Sequence, residues 1–379
     1  MSQTTAPPPA SIAAGEPTPE VRLRLHRFDS SDAAALGASA LAAFSLDWLV
    51  FERLTPLSGG LGFWICWYAA FVVMYGFIVR EQRGPLAAKD RVASVVMASA
   101  GIGVVFALTM ILGYVVFRGY HALRVGFFTK TQEFVGPLSK PTDGGGAHAI
   151  VGTVEQVGIA ALICVPLGIM SAVFLNEIGG RMARPLRTIV DAMSAVPSIL
   201  TGLFIYVALN LGLGLHFSGF LASLALSILM LPTITRTAEV VLRLVPGGLR
   251  EGALALGGTE WRVSRMVVLP TARIGLATAV ILGIARVVGE TAPLLFTSFG
   301  NSTMNWNPFH GAQQALPLMI WTTYKQPQAA QIQRAWTAAL VLVLIVLALF
   351  ILARLIGGRG PGNIGFVRRR LNERRNRVR

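Results

Sequence analysis

The chain has 379 residues, 54% of them hydrophobic and only 13% charged, against about 25% charged in an ordinary soluble domain, so a soluble globular fold is excluded. Its net charge of +15 is spread over loops and tails between long apolar runs, an arrangement that argues against nucleic acid as the partner. Cys66 and Cys164 both lie inside apolar runs, and His26, His121, His148, His216 and His310 have no helical i, i+3 or i, i+4 partner, so neither a disulfide framework nor a metal site is expected.

Taken in order, residues 1–32 are expected to be a disordered cytoplasmic tail, whose residues 1–20 are rich in Pro, Ala and Thr without the apolar core of a signal peptide. Residues 33–51 are apolar and broken only by Asp47; they read either as a span or as an interfacial helix. Runs free of formal charge follow at 54–79, 92–117 and 156–176, each near the ~20 residues that cross a hydrocarbon core. Residues 192–235 carry no formal charge and hold Leu211-Gly212-Leu213-Gly214 near their middle, which fits two spans and a short turn. Residues 271–298 are apolar except for Arg286 and Glu290, and 335–353 form the last span. Pro166 and Pro197 are expected kinks, and Glu155 and Asp191 are expected near helix ends.

Charge bias orients this pattern. Eight spans with both termini inside leave segments 1–32, 80–91, 176–188, 236–273 and 354–379 on the cytoplasmic side, with 25 Lys and Arg in 121 residues, against 7 in 77 for 52–60, 118–148 and 299–335. That is the sense the positive-inside rule requires, and it favours the span reading of 33–51, as half of an N-terminal hairpin (33–80) between basic clusters. Residues 358–379 are then a basic cytoplasmic tail.

Two outer loops are long, 118–148 and 299–335, with aromatics and glycines that read either as ordinary packing at the membrane face or as a docking face. Gly144-Gly145-Gly146 reads as a flexible helix entry or as an anion-holding nest. The inner loop 236–270 has its own structure. Leu249, Ala253 and Leu256 make a helical stripe, Gly257-Gly258 suit a helix end, Thr259 can cap a second short helix with Glu260 in its first turn, and Pro270 is expected to end it. Two short helices at an angle would form a knob.

Within that knob, Glu251, Ala253, Gly257, Val267, Leu269 and Pro270 resemble the EAA motif of ABC-importer permeases, with Gly252 in place of the second Ala and Val267 where Ile is usual. Downstream, Ala285-Arg286-Val287-Val288-Gly289-Glu290-Thr291-Ala292-Pro293-Leu294-Leu295 resembles the signature of the phosphate-specific subunits of that family, as do Gly152-Thr153-Val154, Ala195-Val196-Pro197-Ser198-Ile199 and Leu316-Pro317-Leu318-Met319-Ile320. The resemblance covers roughly 92–357. It implies an all-α polytopic membrane protein with a type I importer permease core of six transmembrane helices, to which the hairpin adds two. It also implies a paralogous permease partner, a dimer of ATPase subunits that binds ATP and Mg, an extracytoplasmic phosphate-binding protein, and alternating access driven through the knob at 247–269. No Gly-x4-Gly-Lys-Ser/Thr loop occurs in the chain, so no nucleotide cofactor and no ATP hydrolysis are expected of it. The expected setting is the bacterial cytoplasmic membrane.

A charge near the bilayer centre costs about 2.5–3.5 kcal/mol on insertion scales and so tends to face a polar path or a partner. Arg286 lies about 20 Å along a helix from Arg273 at ~1.5 Å per residue. Its planar fork suits the tetrahedral oxygens of an oxyanion. At i, i+4, Glu290 is expected to share its face and pair with it. The pair reads either as part of the substrate path, together with Thr291, or as an ion pair that fixes helix packing. Thr201, Thr297 and Ser298 are further candidates for the path. The rival readings are a permease for molybdate or sulfate, a secondary transporter, and a membrane-anchored sensor.

Overall fold

The computed structural model describes residues 30–54 and 59–357. The expected tails therefore lie outside the described residues, except that residues 30–32 already belong to the first helix. The described chain is almost wholly helical: α1 (Ser30–Leu49), α2 (Gly60–Arg83), α3 (Pro85–Gly119), α4 (Val125–Thr129), α5 (Ala147–Val173), α6 (Ala183–Ala195), α7 (Ser198–Ile205), α8 (Gly219–Arg243), α9 (Gly247–Ala255), α10 (Glu260–Val263), α11 (Leu269–Val288), α12 (Ala292–Thr297), α13 (Leu316–Tyr324) and α14 (Ala329–Gly357). Single π-helical turns extend α5 through Ile178, extend α7 through Leu211 and join α10 to α11. Among the described residues, 7 helical runs are long and apolar enough to cross a membrane. Helices satisfy their own backbone polar groups, which lipid cannot do.

Contacts divide the chain into two compact units, one up to Thr109 and one from Met110, with α3 crossing the division. In the first, α1 and α2 pack as a hairpin. The Trp67 indole donates to the Ala40 carbonyl (3.1 Å), and the buried Asp32 pairs with Arg83 (2.7 Å) and Arg91 (3.0 Å), which ties α1 to α2 and to the start of α3. Residues 33–51 are thus helical throughout and paired with α2.

In the second unit α8 is the central helix, packed against α5 on one side and α11 on another. Small residues set the spacing. A Cβ on Gly168 of α5 would lie 2.8 Å from Ile234 Cγ2, and one on Gly283 of α11 2.5 Å from Ile234 Cγ1, so both glycines admit the same α8 side chain. At the start of α5, a Cβ on Gly152 would lie 1.9 Å from the Gln314 carbonyl oxygen. Here the segment after α12 returns against α5, and the Leu316 amide donates to Thr153 Oγ1 (2.7 Å).

Several boundaries differ from the sequence reading. The charge-free stretch 192–235 is not two straight spans. α6 is an amphipathic helix that begins at Ala183, and it meets α7 at a 103° bend at Val196-Pro197. The run Ser198–Leu211 is only about 21 Å long at ~1.5 Å per residue, so it and α6 form one bent pair and not a straight span. Pro197 has an extended backbone and no amide proton to continue α6. Pro270 does not end the knob's second helix. It sits in the first turn of α11, inside a continuous helical run Glu260–Val288, because the π-turn before it leaves no need for its missing donor. The run 271–298 is interrupted after Val288, and the outer loop 299–335 contains α13 and the first turns of α14.

The Gly152 contact predicts that Gly152→Ala lowers the thermal midpoint of the purified protein in detergent, since an overpacked backbone contact costs about 1–3 kcal/mol. Gly158→Ala on the same helix meets nothing within 4 Å and should leave the midpoint unchanged or slightly higher. Equal midpoints for the two variants would mean that the returning segment has slack at Gln314.

Candidate functional site

Two broken helices meet in the second unit. α11 ends at Val288, Gly289 caps it, and residues 289–291 form a break before α12 opens with Pro293 in its first turn. α12 packs on α7, which itself starts after the break at Pro197. The crossing is close: a Cβ on Gly202 would lie 2.5 Å from Pro293 Cα and 2.7 Å from the Pro293 carbonyl oxygen. The Ala195–Ile199 and Gly289–Pro293 segments, nearly a hundred positions apart in sequence, therefore lie on neighbouring elements.

Arg286 and Glu290 do not share a helix face as expected. The helix stops between them, so the i, i+4 geometry is lost, and no ion pair joins them among the described residues. The Arg286 side chain is exposed and has no hydrogen bond or ion pair among the described residues, while its neighbours Val287 and Val288 are buried. Glu290 and Thr291 are partly buried in the break. The Glu290 amide donates to the Val287 carbonyl (3.1 Å), and the Thr291 carbonyl accepts from Leu294 (3.1 Å) and Leu295 (3.3 Å), so this stretch satisfies much of its own backbone. Thr201, Thr297 and Ser298 donate their hydroxyls to the carbonyls of Ser198, Pro293 and Leu294, which shows them serving their own helices.

Two polar nodes lie away from the break. At the end of α8 nearest the knob, the Glu239 side chain, 4% exposed, accepts from Arg187 (2.9 Å), Arg236 (3.0 Å) and Arg243 (2.5 Å), and Arg236 also pairs with Asp191 of α6. Three guanidinium groups from two helices thus converge on one buried carboxylate. At the start of α5, Gln313 donates to Glu155 (2.5 Å) and to the Asn305 carbonyl (3.2 Å), and accepts from Gln156 (3.1 Å). Glu155 thus lies about two turns into α5 at ~3.6 residues per turn, bonded to the returning segment. The Gly144–Gly146 nest is not available to an anion: the amides of Gly145, Gly146 and Ala147 donate to the carbonyls of Thr131, Phe127 and Lys130. This stretch docks the entry of α5 onto α4.

The knob has the expected two helices. α9 ends in a two-bond glycine cap in which Gly257, at φ +83°, donates to Leu254 (2.9 Å) and Gly258 donates to Ala253 (3.2 Å). Thr259 Oγ1 caps α10 by accepting from the Arg262 amide (3.4 Å). Glu251, Gly257 and Pro270 are exposed, Ala253 and Leu269 are partly buried against the cluster formed by Val173, Leu242, Val263 and Val268, and Leu249, Leu256, Trp261 and Met266 present apolar surface.

Glu239, Gln313 and Gln156 went unnoticed in the sequence. A signal existed for Glu239, an acid three residues after Arg236 and four before Arg243 on one helix. The glutamines gave none, because their partner lies 157 positions away.

The described residues thus form a polytopic helical protein with two broken helices in its second unit and a capped two-helix knob between α8 and α11. Residues 164–359 match the family model of the binding-protein-dependent transport system inner membrane component. Over 270 residues the chain is 40% identical to the phosphate transport system permease protein PstA 1 of Mycobacterium tuberculosis (strain CDC 1551 / Oshkosh), covering 71% of this chain and 88% of that one. It is 39% identical over 259 residues to PstA of Mycobacterium leprae (strain TN), covering 68% and 85%. It is 37% identical over 252 residues to PstA of Haemophilus influenzae, covering 66% and 87%. The chain belongs to this family of inner-membrane permeases, in its PstA branch. Among solved structures it is similar to the inward-facing MetNI methionine ABC transporter, with a TM-score of 0.45 and 21% identity over 55% of this chain and 91% of that one.

The Glu239 node predicts that Glu239→Gln destabilises the protein by about 1–3 kcal/mol. That is less than the 3–5 typical of a fully buried broken pair, because the arginines reach solvent. Thermal unfolding in detergent should show a lower midpoint, and raising the salt concentration should narrow the gap to wild type by screening the arginines from one another. A salt-independent gap would assign the loss to packing instead.

Proposed function

We propose that this chain is one of the two membrane subunits of an ATP-driven inorganic phosphate importer, supplying half of the translocation path. The observation that carries the reading is Arg286, a permanently charged, exposed side chain without an ion pair among the described residues, in the last turn of α11, which is otherwise uncharged from Ile274 on, beside the break at 289–291. A cation there, unneutralised by its own chain, is stable only beside water or an anion. Its planar fork matches the oxygens of phosphate. Similarity to proteins named as phosphate transport system permeases supports phosphate as that anion. Glu290 and Thr291 stand in the adjoining break, where the chain leaves the helix and can present polar groups to the path.

The knob is the coupling element in this reading, and its exposed Glu251, with apolar Leu249, Leu256 and Trp261 nearby, faces an ATPase subunit. Gly257 and the Thr259 cap set the angle between its helices, Ala253 and Leu269 anchor it, and Pro270 starts the span it drives. Both termini then lie in the cytoplasm, as the Lys and Arg distribution requires. The partners are a paralogous permease, a dimer of ATPase subunits that binds ATP and Mg, and an extracytoplasmic phosphate-binding protein on the opposite face. The permease domain is assigned to 92–357 in a six-span type I core, and the hairpin 33–80 adds two spans.

Reconstituted complex should take up phosphate in an ATP-dependent manner that excess sulfate or molybdate does not inhibit; preferential uptake of either rival anion would refute the substrate assignment. Arg286→Ala should reduce uptake at least tenfold while the complex still co-purifies with its ATPase. Loss of assembly would instead make Arg286 a packing residue. Glu251→Arg should abolish uptake by spoiling the knob, and normal uptake in that variant would remove the knob from the coupling route.

A further inference from the structure

The knob continues by peptide bonds into α8, through Leu244–Pro246, and into α11, through the π-turn Ser264–Val268. α5 has no such link: after its terminal π-turn the chain leaves through Gly179 and Gly180, both at positive φ (67° and 80°), toward α6. Arg250 of α9 bridges this gap. Its Nε donates to Glu177 Oε2 (2.9 Å) and its Nη2 to Glu177 Oε1 (2.8 Å), a two-pronged pair at the end of α5. The same guanidinium donates to the carbonyls of Val245 (2.7 Å) and Leu242 (2.7 Å) at the end of α8. The Glu177 side chain is 6% exposed and also accepts from Asn176 (2.6 Å). Among the described residues this is the one ion pair made by the knob.

We propose that Arg250 is a positioning residue that transmits knob movement to α5, and through α5 to the opposite side of the membrane. The proposal rests on the importer reading above and adds the route of the coupling. Arg250 stands next to Glu251 in sequence, about 100° around the helix. One side chain grips the membrane helices while its neighbour faces the ATPase. Apolar contacts also join the knob to α5, Val263 and Val268 lying with Ala172 and Val173. Such contacts are non-directional and permit sliding, whereas a two-pronged guanidinium–carboxylate pair fixes both distance and angle. α5 with its π-turn is a single helical run, Ala147–Ile178, about 48 Å long at ~1.5 Å per residue. At its far end Thr153, Glu155 and Gln156 hold Leu316 and Gln313 of the returning segment. A displacement at Glu177 is therefore delivered along one continuous helical run, which keeps its helix through Pro166, to the segment on the other face.

The test compares wild type, Glu177→Gln and Arg250→Lys in the fully assembled complex in proteoliposomes, measuring phosphate uptake and ATP hydrolysis on the same preparations. Glu177→Gln removes the charge with little change of shape, and Arg250→Lys keeps the charge and loses the fork. The expected result is hydrolysis within about twofold of wild type and at least a tenfold fall in phosphate carried per ATP in Glu177→Gln, with a smaller fall in Arg250→Lys. An unchanged ratio of uptake to hydrolysis in an assembled variant, whether both rates hold or both drop, overturns the proposal. Should Glu177→Gln fail to assemble, Arg250→Lys decides on the same ratio. Wild-type complex that neither hydrolyses ATP nor takes up phosphate would refute the importer reading itself, a result separate from any change in the ratio.

Discussion

The crossing of α7 and α12 at Gly202 and Pro293 is the contact on which the centre of the structure depends. A membrane-embedded chain cannot leave a helix unless protein or a polar cavity takes up the freed backbone groups. Two of the helix breaks among the described residues, at Val196-Pro197 and at residues 289–291, are each followed by a short helix that packs on the other. Glycine at 202 permits an approach at which any side chain would strike the Pro293 backbone. The two interruptions thus support each other, and the charged segment beside them is held in place without a surrounding shell of its own.

Polar nodes toward the two ends of the bundle serve a related purpose. Hydrophobic packing supplies little orientation among helices that are apolar on every side, since lipid competes for the same surfaces. Directional bonds supply the orientation instead. Glu239 gathers arginines from α6 and α8 at one end, and Gln313 links α5 to the returning segment at the other. Arg334 does the same near the start of α14, where its buried guanidinium donates to the carbonyls of Ser139 (3.1 Å) and Lys140 (2.6 Å) and so pins that loop to the helix.

Composition and charge-free runs located most of the helices, and glycine and threonine chemistry anticipated the knob's caps at Gly257 and Thr259. Both signals are local: helix formation in lipid follows from apolar length, and caps from side chains within three or four residues. The errors arose where partners were remote. α14 starts before the charge-free run because Arg334 finds carbonyls nearly two hundred positions away and can be buried. The stretch 192–235 resembled two spans because apolar content is blind to a bend of 103°. Residue counting puts Glu290 on the face of Arg286, but the helix stops at Val288 and resumes only at Ala292. Proline chemistry misled in the other direction at Pro270, which the preceding π-turn accommodates inside a continuous helical run.

The arginines of the second unit show why position outweighs number in a chain of net charge +15. Arg187, Arg236 and Arg243 are bound to Glu239, Arg250 to Glu177, and Arg334 to backbone carbonyls, so each is held by the protein, although Nε of Arg187 and Nε and Nη1 of Arg334 are buried without a hydrogen-bond partner among the described residues. A guanidinium held in this way fixes neighbouring elements and has little left to offer a passing anion. Arg286 differs from these in having no hydrogen bond or ion pair among the described residues, at the end of α11 beside the break. If Glu290 had paired with it on one helix face, as the spacing in sequence suggested, the charge would have been neutralised and the segment would be one more structural clasp. Ending the helix between the two residues leaves Arg286 without an ion pair to Glu290, and in the proposed function that separation is what lets the cation meet an anion.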